Sequence, residues 1–434
     1  MALPLPADYF ACPALTPKQR DAIVNFGHAA CNDTVQNALH LQKARVASVV
    51  SNKKTNRIAR IHKGHDAIDY TLPAVCGRTV IQATLAEIAH FFYLDSKLKL
   101  ATYALIMGQT ILDRHCLYTL KQPTPGRPAM HYLGVAWMAV ECPTGILNRD
   151  FCVIESHDTI EVLDPTTKRL RRGWVRALHS VDLPACPSLR ASHGLVRGTL
   201  LRSGHVFLET NTPGVLEYCH VMISQGHGKL PRSVVSTISK NQVARLLNLE
   251  EFLSLQRFSA RLDVTNFLDV RHFQNKDTVT ACSICRRKFG WFVSKKHCRQ
   301  CGKIICSTCG RNWKMPINDK PVKLRICQAC FCPDQPQKTP DDEYEPKLIF
   351  TAEAFESHRS LHDAIMDSLR RFDESTLVSH DESSNGDDST YCDESPRAFP
   401  RISALSVLET NTAIRPSSFG SYLYTDTSLD AKIA

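Results

Sequence analysis

Eight of the chain's 18 cysteines lie between positions 282 and 330, spaced C-x2-C-x12-C-x2-C-x4-C-x2-C-x17-C-x2-C. A C-x2-C turn presents two thiolates to one ion, and Zn²⁺ takes four ligands in a tetrahedron, so four such pairs make two closed structural sites. With sulfur filling every position, neither site keeps a place for substrate or water, which argues against metal catalysis. His297 is the competing ligand, and with both tetrahedra supplied by thiolates it is left a structural or surface role. The spacing alone does not say which pair joins which.

The same stretch is basic. Residues 282–330 carry 12 Lys and Arg against one acidic residue, whereas 333–434 carry 9 against 20, within a chain of 434 residues and net charge +10. Lys295, Lys296, His297 and Arg299 crowd around the third cysteine, Cys298, and directly before them FGWFVS (289–294) sets Trp291, Phe292 and Val293 in a row. Three large apolar side chains in one loop cannot all point into so small a core. A basic cluster beside an apolar tip suits an anionic membrane, where each Lys or Arg contributes roughly 1 kcal/mol.

Other elements must carry this segment. No run of apolar residues reaches the length of a membrane span, and MALPLPADYF has no signal-peptide form, so a cytosolic or nuclear chain with reduced thiols is expected. Residues 1–15 read as a flexible N-terminus and 16–256 as one α+β domain. Thr16 and Pro17 are N-cap and first-turn residues of a helix; ATLAEIAHFF (83–92) and SKLKLATYALIM (96–107) are further helices. Strands follow at 131–141, 151–156, 159–163, 194–210 and 214–224, with no helix-length crossover between them, which predicts an antiparallel sheet. One long helix from Pro231 presents a stripe at 235, 238, 242, 246, 249 and 253 that must cover the sheet. Residues 257–272 read as a linker, 273–332 as the zinc finger and 333–434 as an acidic, Ser-rich disordered tail. Within the tail, 353–372 has helical spacing and could dock a protein partner.

Helices, a meander of strands and a long closing helix resemble the START family of lipid-binding domains, a helix-grip fold; NRD (148–150) and HGKLPRSVV (227–235) are similar to its local sequences. The resemblance implies an apolar cavity for a lipid or sterol, with Arg149 as candidate polar anchor. Residues 273–332, with Phe289, the basic cluster, CRQCG and RIC (325–327), resemble the FYVE-type zinc finger. That resemblance implies a cross-brace: Cys282, Cys285, Cys306 and Cys309 on one zinc, Cys298, Cys301, Cys327 and Cys330 on the other. It also implies a phosphatidylinositol 3-phosphate headgroup met by Lys295, Lys296, His297, Arg299 and Arg325, membrane insertion by Trp291, Phe292 and Val293, and a peripheral cytoplasmic location on endosomal or other phosphoinositide-bearing membranes. The run is S-K-K-H-C-R where the family has R-[R/K]-H-H-C-R, so Ser294 and Lys296 depart from it. The family's upstream W-x-x-D is absent; FQNKD (273–277) offers Phe273 and Asp277 at another spacing, and no role passes to either.

The remaining signals are weaker. GHGK (226–229) lacks the other residues of a phosphate loop, KRLRRGWVR (168–176) reads as a solvated hairpin face, and neither G-x-S-x-G nor H-E-x-x-H occurs, so no enzyme is expected. Two rival functions remain: a RING-like ubiquitin ligase, disfavoured by the all-cysteine ligands, and a basic adaptor for protein or nucleic acid, of which nucleic acid is the less expected.

Overall fold

The computed structural model describes residues 3–52, 54–55, 57–164, 167–225, 230–260, 268–291, 293–317, 320–331 and 348–350. They divide into two compact units, one built on Met1–Leu262 and one on Asp263–Cys327. In the first, α1 (Pro17–Leu41) leads into β1 (Arg45–Asn52), β2 (Arg57–His65) and β3 (Pro73–Gln82). Then come α2 (Leu85–Phe92), α3 (Lys97–Met107), β4 (Ile111–Lys121), β5 (Tyr132–Val140), β6 (Arg149–Leu163) and β7 (Leu170–Ser180). The short α4 (Arg190–His193), β8 (Val196–Arg197) and β9 (Thr199–Leu200) precede β10 (Ser203–Glu209), β11 (Val215–Met222) and β12 (Ser224–Gln225). Two helices, α5 (Arg232–Ala244) and α6 (Leu247–Ala260), close the unit.

Nine strands of one sheet run side by side in the order β1-β2-β3-β11-β10-β7-β6-β5-β4, every neighbouring pair antiparallel, and the short β8 pairs with β6 in parallel off that run. Alternation along the strands sorts side chains to two faces. Val175 and Ala177 of β7 and Val206 and Leu208 of β10 meet Ala30, Val35 and Ala38 of α1. Trp174 and Phe207, one residue out of step, meet Phe92 of α2, Tyr103 of α3, and Val243 and Leu253 of α5 and α6. The expected helix starts are present. Thr16 and Gln19 cap α1 reciprocally, Gln19 N donating to Thr16 Oγ1 (3.3 Å) and Thr16 N to Gln19 Oε1 (2.8 Å).

The closing helix differs from the expectation of a single rod. It breaks after Ala244, where the backbone N–H groups of Arg245 and Leu246 turn to the carbonyls three residues back, Gln242 and Val243. The break lets Gln242 donate to Met107 O (3.1 Å) and Asn248 to Ile106 O (2.9 Å), satisfying the last carbonyls of α3. The N-terminus also departs from the flexible segment expected for 1–15. Leu5 is buried and its N–H donates to Asp113 (2.6 Å), and Phe10 packs 5.3 Å from Trp137, because a stretch with Leu3, Leu5, Tyr9 and Phe10 has apolar surface to bury on the β4–β5 side. β1 to β4 and β7 were not anticipated, and β6 runs unbroken through the two strands expected at 151–163. The basic run 168–176 is no solvated hairpin face throughout, since its last residue, Arg176, is fully buried.

The second unit holds β13 (Lys296–His297) paired with β14 (Ile304–Ile305), and the hairpin of β15 (Gly310–Ile317) and β16 (Lys320–Cys327); the one-turn α7 (Gln328–Phe331) follows. Most of 333–434, including the helix expected at 353–372, lies outside the described residues, as do GHGK (226–229), Phe292 and 261–267 of the expected linker, whose first residues continue α6 to Ala260. Leu348–Phe350 forms β17, parallel to Ile160–Val162 of β6, a strand inside a segment expected to be disordered. Among the described residues no helix is long and apolar enough to cross a membrane.

Candidate functional site

The first two C-x2-C pairs sit in tight turns closed by backbone hydrogen bonds. Arg286 N donates to Cys282 O (2.9 Å) with Arg286 at φ +60°, and Gly302 N donates to Cys298 O (2.9 Å) with Gly302 at φ +67°. A side chain at Gly302 would meet Leu268 and Phe273 within 2.9 Å, so the second turn needs glycine for space as well as for conformation. Across the finger, Cys306 N donates to Cys282 Sγ (3.4 Å) and Cys327 N to Cys298 Sγ (3.3 Å). These bonds interleave the pairs: Cys282, Cys285, Cys306 and Cys309 form one tetrad, Cys298, Cys301, Cys327 and Cys330 the other, with the sulfurs of each within 4.8 Å of one another.

The donor sets fit zinc. Zn–S bonds of about 2.3 Å in a tetrahedron require S···S edges of about 3.8 Å. The Cys285–Cys306 and Cys301–Cys327 sulfurs are 3.8 and 3.9 Å apart. Two closed Zn(Cys)4 sites are structural, and the cross-brace expected from the family resemblance is the observed pairing.

The five expected headgroup residues come together around β13 and the end of β16. Lys296 and Arg299 are exposed, while Lys295, His297 and Arg325 are half-buried. Arg299 N donates to Arg325 O (2.8 Å), which binds the two basic elements, and Arg325 Nη1 donates to Gly310 O (2.8 Å). What orients the cluster is a segment to which no role was given. Lys295 Nζ donates to Lys276 O (2.6 Å), His297 Nε2 lies 2.8 Å from Gln274 O, and Gln274 Oε1 accepts from Ile304 N (2.8 Å). Phe273 stacks beneath, 5.1 Å from the His297 ring and 5.8 Å from the Arg299 guanidinium. Its sequence signal was only an aromatic nine residues before Cys282, off the family spacing. Of the expected insertion residues, Trp291 is fully exposed and Val293 half-buried.

In the first unit a cavity of about 50 Å³ lies between α3, α5 and the sheet. Arg149, the expected anchor, is not on it; its guanidinium turns back to Leu147 O at the start of β6. The polar residues that do line it are Arg114, Arg176, His205 and His220, together with Tyr103, Gln109, Ser203 and Gln242. Arg176 Nε donates to Glu155 Oε1 (2.6 Å) and Arg114 Nη2 to Glu155 Oε2 (2.9 Å); His157 Nε2 lies 3.0 Å from the same carboxylate. Burial alone would push Glu155 up, but Arg176, the His157 hydrogen bond and Arg114 hold it well below the usual carboxylate range. Burial pushes His157 and His205 down, and burial with Arg176 pushes His220 down to about 3, so all three imidazoles are neutral.

Known proteins are similar to the two units separately. The first unit is similar to human StAR-related lipid transfer protein 5 (14% identity, TM-score 0.36, 54% of this chain and 96% of that one) and to human STARD10 (15%, 0.32, 55% and 83%). The helix-grip description rests on the element order and strand register above. The finger is similar to human RUN and FYVE domain-containing protein 2 (37% identity over 51 residues, 12% of this chain and 8% of that one). It is similar also to human Early endosome antigen 1 (40% over 62 residues, 14% and 4%). The chain thus covers less than a tenth of the length of either relative. The FYVE zinc finger family matches residues 272–334. With its two zinc tetrads, residues 272–334 are therefore a FYVE zinc finger that follows a helix-grip domain.

Proposed function

We propose that the chain is a non-catalytic peripheral membrane protein. Its finger docks on phosphoinositide-bearing membrane, with phosphatidylinositol 3-phosphate as the headgroup, on the cytoplasmic face of endosomes. Its helix-grip domain carries one hydrophobic ligand, a lipid or sterol. The observation that carries this reading is Trp291, wholly exposed five residues before the basic strand β13. A large indole has no reason to stand in water beside Lys296 and Arg299 unless an amphipathic surface takes both. The family match and the likeness to Early endosome antigen 1 support the membrane named.

Liposomes with phosphatidylinositol 3-phosphate, with another phosphoinositide and with neither test it. Complete burial of the two rings would contribute about 8–12 kcal/mol, from roughly 150–250 Å² each at about 25 cal/mol per Å², and a loop tip that inserts only partly gains a fraction of that. Trp291→Ala with Phe292→Ala should lower affinity and leave its salt dependence intact. Lys295→Ala with Arg299→Ala should lower affinity and flatten the salt dependence. Zinc content must be unchanged in both. Unaltered binding in both double variants would mean that this face is not the membrane face.

A further inference from the structure

The cavity of the helix-grip domain has a charge imbalance. Arg114 and Arg176 face it, one carboxylate, Glu155, pairs with both, and the neighbouring imidazoles are neutral. Two buried guanidinium groups against one carboxylate leave a positive charge that, among the described residues, no further acidic group facing the cavity offsets. An uncompensated buried charge is costly, and an anion is what removes the cost.

Two residues that line the same space each carry a buried side-chain nitrogen without a hydrogen-bond partner. His220 is more than nine-tenths buried, lines the cavity and has no hydrogen-bond partner at Nδ1; Arg114 Nε, also buried, has none either. Buried polar atoms are otherwise almost always paired, so two lining one cavity mark the seat of a ligand's polar atoms. The volume agrees. On a scale where one water needs about 10–15 Å³, 50 Å³ takes a carboxylate or phosphate group and not a whole lipid. The adjoining wall is apolar, with Met138, Phe151, Leu178 and Leu200, so the group arrives attached to a hydrocarbon.

We infer that this cavity receives the anionic head of a single-chain amphiphile, a carboxylate or a phosphate monoester, held by Arg114 and Arg176 and by a hydrogen bond from His220. A metal cation is disfavoured by the same two arginines, and a sterol hydroxyl would leave their excess charge where it is. The inference rests on the hydrophobic-ligand half of the proposed function and is independent of membrane docking.

The test uses the full chain in solution without vesicles. Oleate, oleoyl lysophosphatidate and monoolein share one chain and differ in the head. Oleate or the lysophosphatidate should bind with one molecule per chain in native mass spectrometry and raise the melting temperature; which of the two does so separates carboxylate from phosphate. Monoolein should do neither. Arg114→Met should weaken the anion by about tenfold or more. It should not lower the melting temperature of the unliganded chain, since the Glu155–Arg176 pair it leaves behind is neutral. His220→Leu should weaken the anion too, with stability preserved because an unsatisfied buried atom is removed. Monoolein binding as well as oleate, or an Arg114→Met chain that melts lower and still takes up oleate, would overturn the inference while leaving a hydrophobic ligand in place. Failure of all three amphiphiles, with no lipid extractable from the purified chain, would remove the hydrophobic-ligand reading as well.

Discussion

In the finger, the fold is held by eight thiolates and two ions around a very small apolar centre of Ile304, Ile305, Trp313 and Ile326. In the helix-grip domain, no metal cluster occurs among the described residues, and a run of nine antiparallel strands is sandwiched between α1 and the layer of α2, α3, α5 and α6. Its polar interior is held by ion pairs instead. The difference teaches where each region is vulnerable. Removing one ligand type destroys the first, whereas the second fails only where a buried charge loses its partner.

Taking away the metal is the sharpest way to separate them. Structural zinc contributes on the order of 10–16 kcal/mol in small fingers, so chelation should unfold residues 272–334 and leave the helix-grip domain folded. Elemental analysis should give two zinc ions per chain, Cys306→Ser should lose metal, and Cys332→Ser should keep it. A sheet signal in circular dichroism that disappears together with the zinc would break the comparison.

The corresponding change in the helix-grip domain is Glu155→Gln. It leaves Arg114 and Arg176 buried against each other, and loss of one partner from a buried ion pair costs about 3–5 kcal/mol. Urea unfolding should show a loss of that size, and adding Arg114→Met should recover part of it. Independent, additive losses would mean that the three side chains do not act as one cluster.

The two regions were also unequally legible. Ligand spacing is a local property of the chain, and four C-x2-C pairs announce their chemistry whatever surrounds them, so the eight zinc ligands could be named in advance. The helix cap at Thr16 was equally local. Glu155 and Arg176 are 21 residues apart and meet only because β6 and β7 pair, bringing Glu155 opposite Leu178, and no short window contains that register. For the same reason Arg149, offered by the family resemblance, looked like an anchor, and Arg176, inside a basic run, looked solvated. The early strands β1 to β3 were missed because their charged and small residues, as in RIARIHKGH, dilute the alternation on which the strand signal depends.

A smaller effect tests whether charge burial in the helix-grip domain extends beyond the cavity. Burial pushes the carboxyl of Asp33, on α1, up to about 7, against the pull of Arg202 and with the push of Asp66. A carboxyl whose folded pKa lies above its unfolded value of 3.8 favours the folded state at low pH, so that contribution is present below about pH 4 and is lost as pH rises to about 7. Each unit is worth about 1.4 kcal/mol, which makes a few kcal/mol the upper limit. Asp33→Asn should flatten the stability profile between those two pH values in urea titrations. A profile as steep as the parent's would move the pH response to another group.

The smallest expected effect lies in the finger and concerns the residue its motif did not supply. Phe273 is the surface against which the His297 ring and the Arg299 guanidinium rest, at 5.1 and 5.8 Å. A cation over an aromatic face at a half-exposed site contributes about 0.5–1 kcal/mol, and stacking the imidazole adds a similar amount. Phe273 is not one of the metal-ligating residues, so Phe273→Leu should keep both zinc ions and the apolar cover of Gly302. It should weaken phosphoinositide liposome binding several-fold, chiefly through faster dissociation, because the headgroup donors are then less well ordered before contact. Phe273→Tyr keeps the ring and should bind like the parent. If Phe273→Leu instead loses zinc, the aromatic belongs to the metal-held fold, and the division between a metal-built scaffold and a separately oriented basic face does not hold. If it keeps zinc and binds unchanged, the strand pairing of β13 with β14 orients His297 and Arg299 without help from the segment before the first cysteine.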